Sequence, residues 1–219
     1  NGVRLYQTAG GSFPSVTSIL SATKPESDKA GLAKWRRKEG AAEADRILAE
    51  AGARGTAMHA ACEAYMRDGT VGEGPWWDSI YPFLKRLTGP ELIEARVWHP
   101  RGFAGSLDIA TLVDLEMAVV DFKTARKRKR REWIVDYCLQ VSAYVAGANH
   151  VYRKLVGRDD MIRKAWIVVA YADAPADEFE LGPQELTGYY KAFCARLDEF
   201  NDKYSHRIDP SSLTAPATA

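Results

Sequence analysis

Apolar positions along the chain change period several times, and each change marks an element. Val16, Ile19 and Leu20 follow Pro14 and Ser15 at helical spacing, with Ser15 placed as an N-cap. Pro25 ends that helix. From Asp28 to about Ala51 the chain is rich in Ala, Leu, Lys, Arg and Glu and reads as a long helix. Gly52 and Gly55 punctuate it, so a separate helix is predicted from about Thr56 to Arg67, lined by small residues. A further helix is predicted over Trp76 to Leu87, where Trp76, Ile80, Phe83, Leu84 and Leu87 form a core stripe that stops at Gly89-Pro90.

The helical period is then lost. Strands are predicted at Leu92–Trp98, Phe103–Val113 and Met117–Lys123, with turns at His99–Gly102 and Asp114–Glu116. Ala118, Val119 and Val120 form an unbroken apolar run, which suits a strand covered on both faces. The helical period returns from Glu132 to about Tyr152. One stripe there is Ile134, Cys138, Val141 and Val145, and another is Trp133, Tyr137, Gln140 and Tyr144. A turn at Gly157–Asp160, a buried strand at Ala165–Tyr171, an edge strand at Phe179–Leu181 and a helix from Pro183 to about Tyr204 complete the pattern. Residues 1–14 read as an arm or short strand. Residues 209–219, rich in Pro, Ser, Thr and Ala, are expected to be a disordered tail. The order predicts an α/β fold: a central mixed β-sheet of about four to five strands flanked by helices. Residues 1–208 are expected to form one domain, helical at about 14–88 and with the sheet core at about 91–204.

Composition alters this picture little. The chain has 219 residues, 46% hydrophobic and 27% charged, as in an ordinary soluble globular protein. A formal net charge of +1 does not point to nucleic acid, but two local runs do: Lys34-Trp35-Arg36-Arg37-Lys38 and the six consecutive basic residues Arg126, Lys127, Arg128, Lys129, Arg130 and Arg131. Each also reads as a solvated face or loop. Cys62, Cys138 and Cys194 are far apart with no CxxC pair, so no zinc site or iron–sulfur cluster is expected. That sparse, odd set points to a reducing, intracellular and cytoplasmic setting. The first residue is Asn1, which leaves a removed organelle-targeting segment open. No apolar run is long enough to span a membrane, and no membrane partner is expected.

The candidate chemistry centres on the strand pair. Residues two apart on a strand share a face, so Asp121 and Lys123 point the same way. Alone, Asp-x-Lys reads as a salt bridge at a strand end. Asp108 on the neighbouring strand adds a second carboxylate, and two such groups suit a hard divalent cation. His59 and Glu63 lie i, i+4 on one helical face. Gln140, inside an aromatic stripe, needs hydrogen-bond partners if buried. Ser15 and Thr17, at a helix start, suit either a plain cap or a phosphate contact.

The motifs Gly55-x-x-x-His59, Gly105-x-x-Asp108, Asp121-x-Lys123-Thr124 and Gln140-x-x-x-Tyr144, in that order and after Pro14-Ser-Val-Thr17, resemble the PD-(D/E)XK nuclease superfamily. Within it they resemble the RecB-like branch, in particular the mitochondrial genome maintenance exonucleases and related phage exonucleases. Leu107 stands where the motif name has proline. The resemblance implies a restriction-endonuclease-like core and a metal-dependent DNA exonuclease. Asp108, Asp121 and the Phe122 backbone carbonyl would hold one or two Mg²⁺ or Mn²⁺ ions, with His59 as a further ligand. Lys123 would serve the attacking water and the pentavalent phosphate, while Gln140 and Tyr144 orient them. Glu94 and Glu63 are candidates for an accessory acid. Ser15, Thr17, Arg36, Arg37 and residues 126–131 would contact DNA. The helical N-terminal part would arch over the site and favour single-stranded DNA or frayed and flapped ends. A structure-specific endonuclease and a non-catalytic nucleic-acid-binding module remain the alternatives.

Overall fold

The computed structural model describes residues 3–156 and 162–204, with the side chains of 153–156 left aside. The turn expected at Gly157–Asp160 and the tail expected at 209–219 lie outside the described residues.

A five-stranded sheet in the order β3-β4-β5-β6-β7 forms the centre. Its strands are β3 (Leu87–His99), β4 (Phe103–Val113), β5 (Glu116–Thr124), β6 (Lys164–Ala170) and β7 (Asp177–Leu181). All neighbours are antiparallel except β5 and β6, which run parallel and are joined by a crossover through α5 (Val135–Val156). The sheet is mixed for that reason: one helical crossover reverses one pairing. A small hairpin, β1 (Leu5–Thr8) with β2 (Gly11–Pro14), precedes it.

Two apolar layers cover the sheet, one on each face. α1 (Val16–Ala22), α5 and α6 (Pro183–Tyr204) cover one side, where Ile19, Leu107, Val119, Val141 and Phe193 are buried. α3 (Ala41–Asp68) and α4 (Pro75–Leu84) cover the other, where Cys62, Ile80, Phe83, Ala118 and Val120 are buried. The unbroken apolar run of β5 therefore has its physical reason: Val119 feeds one layer while Ala118 and Val120 feed the other.

Three expectations need correction. The helix predicted from Asp28 to Ala51 is broken at Gly40, which takes φ 85° between α2 (Glu26–Glu39) and α3. Conversely, α3 runs without interruption through Gly52 and Gly55, both with open space where a Cβ would stand. A helical glycine costs only about 1 kcal/mol relative to alanine, and packing of Met58 and Cys62 in the core exceeds that. Finally, α4 ends at Leu84, so Leu87 opens β3 instead of closing the helix. Trp77, not Trp76, enters the core there.

α2 has no buried residue and packs on α3. The cysteines are all free and buried. Among the described residues no helix is long and apolar enough to cross a membrane.

Candidate active site

The site lies where β4 and β5 stop pairing. Their register runs from Val113↔Glu116 to Ile109↔Val120 and ends there, one residue short of Asp108 and Asp121. β5 continues against β6 as far as Thr124↔Ala170. The Phe122 amide, left without a strand partner on the β4 side, donates to Asp108 Oδ2 at 2.7 Å. One carboxylate oxygen thus replaces a ladder carbonyl and fixes the side chain.

The second oxygen of Asp108 faces His59 of α3, with Nδ1 to Oδ1 at 3.2 Å. Glu94 of β3 approaches the same ring at 4.0 Å. His59, Glu94 and Asp108 offer ligand atoms that all lie within 4.8 Å of one another. Glu94 reaches this position at φ 47°, between the paired rows Ile93↔Ile109 and Ala95↔Leu107. A left-handed conformation at a non-glycine strand residue is costly, and such strain concentrates at functional positions. Two carboxylates and an imidazole fit a hard divalent cation of the Mg²⁺ or Mn²⁺ kind.

Asp121 is 1% exposed and ion-pairs through Oδ2 with Lys123 Nζ. Gln140 Nε2 donates to Asp121 Oδ1 at 3.3 Å and to the Tyr144 hydroxyl at 3.1 Å. The half-buried amide inside the aromatic stripe has its partners in this network. Lys123 Nζ also lies 5.3 Å from the Tyr137 ring centroid. Tyr144 fits because Gly105 has no side chain: a Cβ there would stand 2.5 Å from Tyr144 Cε1.

Burial and charge act against each other here. Burial raises the Asp121 carboxyl above the ordinary range, opposed by the Lys123 charge. Burial disfavours the Lys123 ammonium, but Asp121 and Asp108 more than compensate and hold it charged. Burial likewise works against protonated His59, yet Asp108 raises its pKa overall. Glu94 is raised by burial and by the Asp108 charge.

A cleft of about 440 Å³ opens beside this cluster, lined by Gly55, Thr56, His59, Ala60, Glu63 and Glu94. Glu63 borders it but is held by Arg67 at 2.8 Å and stands outside the group of three. Arg54, which the motif reading passed over, lies one residue before Gly55. Its guanidinium stacks 4.6 Å from Trp76, and Nε donates to Thr124 Oγ1 at 3.3 Å. Burial and neighbouring Arg126 lower its pKa. Its signal in the sequence was only position, next to a motif glycine.

The basic run is less free than its composition suggests. Arg126 pairs with Glu50 at 2.9 Å, Arg128 with Asp177 at 2.5 Å, and Arg131 with Glu185. Arg130 lies over the exposed Trp133 ring at 5.2 Å. Lys127 and Lys129 have no ion-pair partner among the described residues. Arg36 pairs with Asp45 at 2.8 Å, and Arg37 is exposed. Ser15 is buried and its Oγ accepts from the Ser18 amide at 3.0 Å, which makes it the cap of a seven-residue helix. Thr17 is exposed beside it.

No known protein-family profile matches the chain. Mitochondrial genome maintenance exonuclease 1 of Mus musculus is 28% identical over 91% of this chain and 62% of its own length. Its Xenopus tropicalis counterpart is 25% identical over 89% of this chain and 59% of its own. The chain thus spans about three fifths of the curated relatives it matches. An alkaline exonuclease from Laribacter hongkongensis superposes with a TM-score of 0.42 at 15% identity, covering 90% of this chain and 92% of that one, a likeness too distant to bear on the site. In its ordered motifs the chain resembles the PD-(D/E)XK nucleases, and in sequence it is similar to mitochondrial genome maintenance exonuclease 1.

Proposed function

We propose that the chain is a metal-dependent DNA exonuclease that hydrolyses phosphodiester bonds of single-stranded DNA or of frayed and flapped ends. The observation that carries this reading is the meeting of His59, Glu94 and Asp108 with the Asp121–Lys123–Gln140 network at the end of the β4–β5 pairing. The similarity to a named exonuclease supports it.

In this reading Asp108, Asp121, Glu94 and His59 would hold one or two ions, with the Phe122 carbonyl as a further ligand. When bound, Mg²⁺ or Mn²⁺ acts as a Lewis acid on the phosphate and lowers the pKa of bound water. The Phe122 amide keeps Asp108 oriented so that Oδ1 stays toward His59. Gln140 and Tyr144 keep Asp121 from turning. Lys123, charged because two carboxylates surround it, offsets the negative charge that develops on the pentavalent phosphate and positions the attacking water. Arg54 and Thr124 line the approach and contact a neighbouring phosphate, as do Lys127, Lys129 and Arg37.

The test is a time course on 5′- and 3′-labelled single strands in Mg²⁺ and in Mn²⁺, with circular single-stranded DNA beside them. Cleavage of the linear strands alone is expected. Asp121→Asn and Lys123→Ala should each lower cleavage by at least about a hundredfold while leaving DNA binding in place. Linear DNA left intact with both metals would overturn the proposal, and cut circles would assign an endonuclease instead.

A further inference from the structure

Two contacts of unlike kind hold the Lys123 ammonium among the described residues. Its Nζ ion-pairs with Asp121 Oδ2, and it stands over the Tyr137 ring, 5.3 Å from the centroid. The lysine side chain is 18% exposed, so these contacts stand where water would otherwise be. They differ in what they leave behind. A carboxylate that holds an ammonium also neutralises it and takes one of its three protons. An aromatic face attracts the same cation through the ring quadrupole and leaves its charge and its donors intact.

The position of the ring follows from α5. Tyr137, Gln140 and Tyr144 stand at i, i+3 and i+7 and so share one face of that helix. Gln140 and Tyr144 already meet at Asp121, which puts the half-buried Tyr137 one turn nearer the helix start on the same side. That first turn is tied down. Asp136 pairs with Arg196 of α6 at 3.3 Å, and Arg196 Nε donates to Thr23 Oγ1, just past α1, at 2.6 Å. The ring is therefore carried by a fixed element, whereas the lysine it meets has a long flexible stem.

We propose that Tyr137, which lies outside the motif residues, is a positioning residue for Lys123. Its ring face fixes the ammonium at the end of β5 without neutralising it, so that the full charge stays available to the phosphate. The inference rests on the nuclease reading, in which Lys123 serves the phosphate under attack.

The experiment is steady-state cleavage of a labelled single strand in Mg²⁺ by the parent, Tyr137→Phe, Tyr137→Leu and Tyr137→Met, with the melting temperature of each. Phenylalanine keeps the ring face and should keep kcat within about twofold of the parent. Leucine and methionine keep an apolar side chain in the helix but have no such face. Each should lower kcat by about tenfold and leave KM within about twofold. In a Lys123→Ala background Tyr137→Leu should lower the residual rate no further, because the ring then has no ammonium to hold. Parental kcat in the leucine and methionine variants would overturn the assignment. So would a phenylalanine variant as slow as the leucine one, or an equal further loss in the Lys123→Ala background. A parent that cuts no DNA fails the nuclease reading itself, whereas a cutting parent with indifferent Tyr137 variants fails this inference alone.

Discussion

Glu94 shows what single residues do in this molecule. Its carboxylate meets His59 and Asp108 because its backbone sits at φ 47° inside a strand, a conformation that is costly for a residue with a side chain. We expect Glu94→Gln to weaken Mg²⁺ or Mn²⁺ binding by at least about tenfold, roughly 1.4 kcal/mol, with the fold unchanged. Metal titration followed by calorimetry checks it, and unaltered affinity would place Glu94 outside the site. Gly105 acts through space and not charge. A Cβ there overlaps Tyr144, so Gly105→Ala should cost about 1–3 kcal/mol in chemical denaturation and displace the Gln140–Asp121 contact, lowering turnover more than substrate affinity.

Among the elements, α2 and α3 make the sharpest comparison. Gly40 breaks the helix at φ 85°, whereas Gly52 and Gly55 lie within one. The same substitution should therefore have opposite signs. Gly52→Ala should stabilise the protein by about 0.5–1 kcal/mol, and Gly40→Ala should destabilise it by about 1 kcal/mol because alanine resists positive φ. Thermal melts of the two variants decide this. The loop after β5 is a second case. Arg128 and Arg131 bind it to Asp177 of β7 and Glu185 of α6, so their loss should cost stability first, while Lys127 and Lys129 should carry most of the loop's response to salt.

For the whole molecule, the acidic cluster depends on α5, which turns Gln140 toward Asp121. An ion bound at that cluster adds free energy to the folded state alone. Mg²⁺ at a hundred times its Kd for the parent should add about 2.7 kcal/mol to the parent's stability and about 1.4 kcal/mol or less to that of Glu94→Gln. DNA binding should weaken by about 0.7 logarithmic units per phosphate contact for each tenfold rise in salt for single strands, and replacing Lys127 and Lys129 together should reduce that slope by about two contacts. An unchanged slope would return the whole loop to a structural role.

By itself the sequence determined the alternation of helices and strands, the two-sided burial of β5 and the motif residues Asp108, Asp121, Lys123, Gln140 and Tyr144. The first two follow from local periodicity, which the chain carries wherever it goes, and the motif residues from the resemblance of their order to that of a known family. β4 was legible to its end residues because Gly102 and Asp114 mark its turns. Only the tertiary structure decided that Glu94 joins His59 and Asp108, since a glutamate gives no sign that it will take a positive φ. It also decided that α3 ignores its glycines, because burial of Met58 and Cys62 outweighs a small local penalty. The partners of Arg126, Arg128 and Arg131 are dozens of residues away, and no pattern in the run itself says which of its charges the fold will neutralise. Charge can be counted along the chain, but which charges stay free for a substrate depends on what the fold brings beside them.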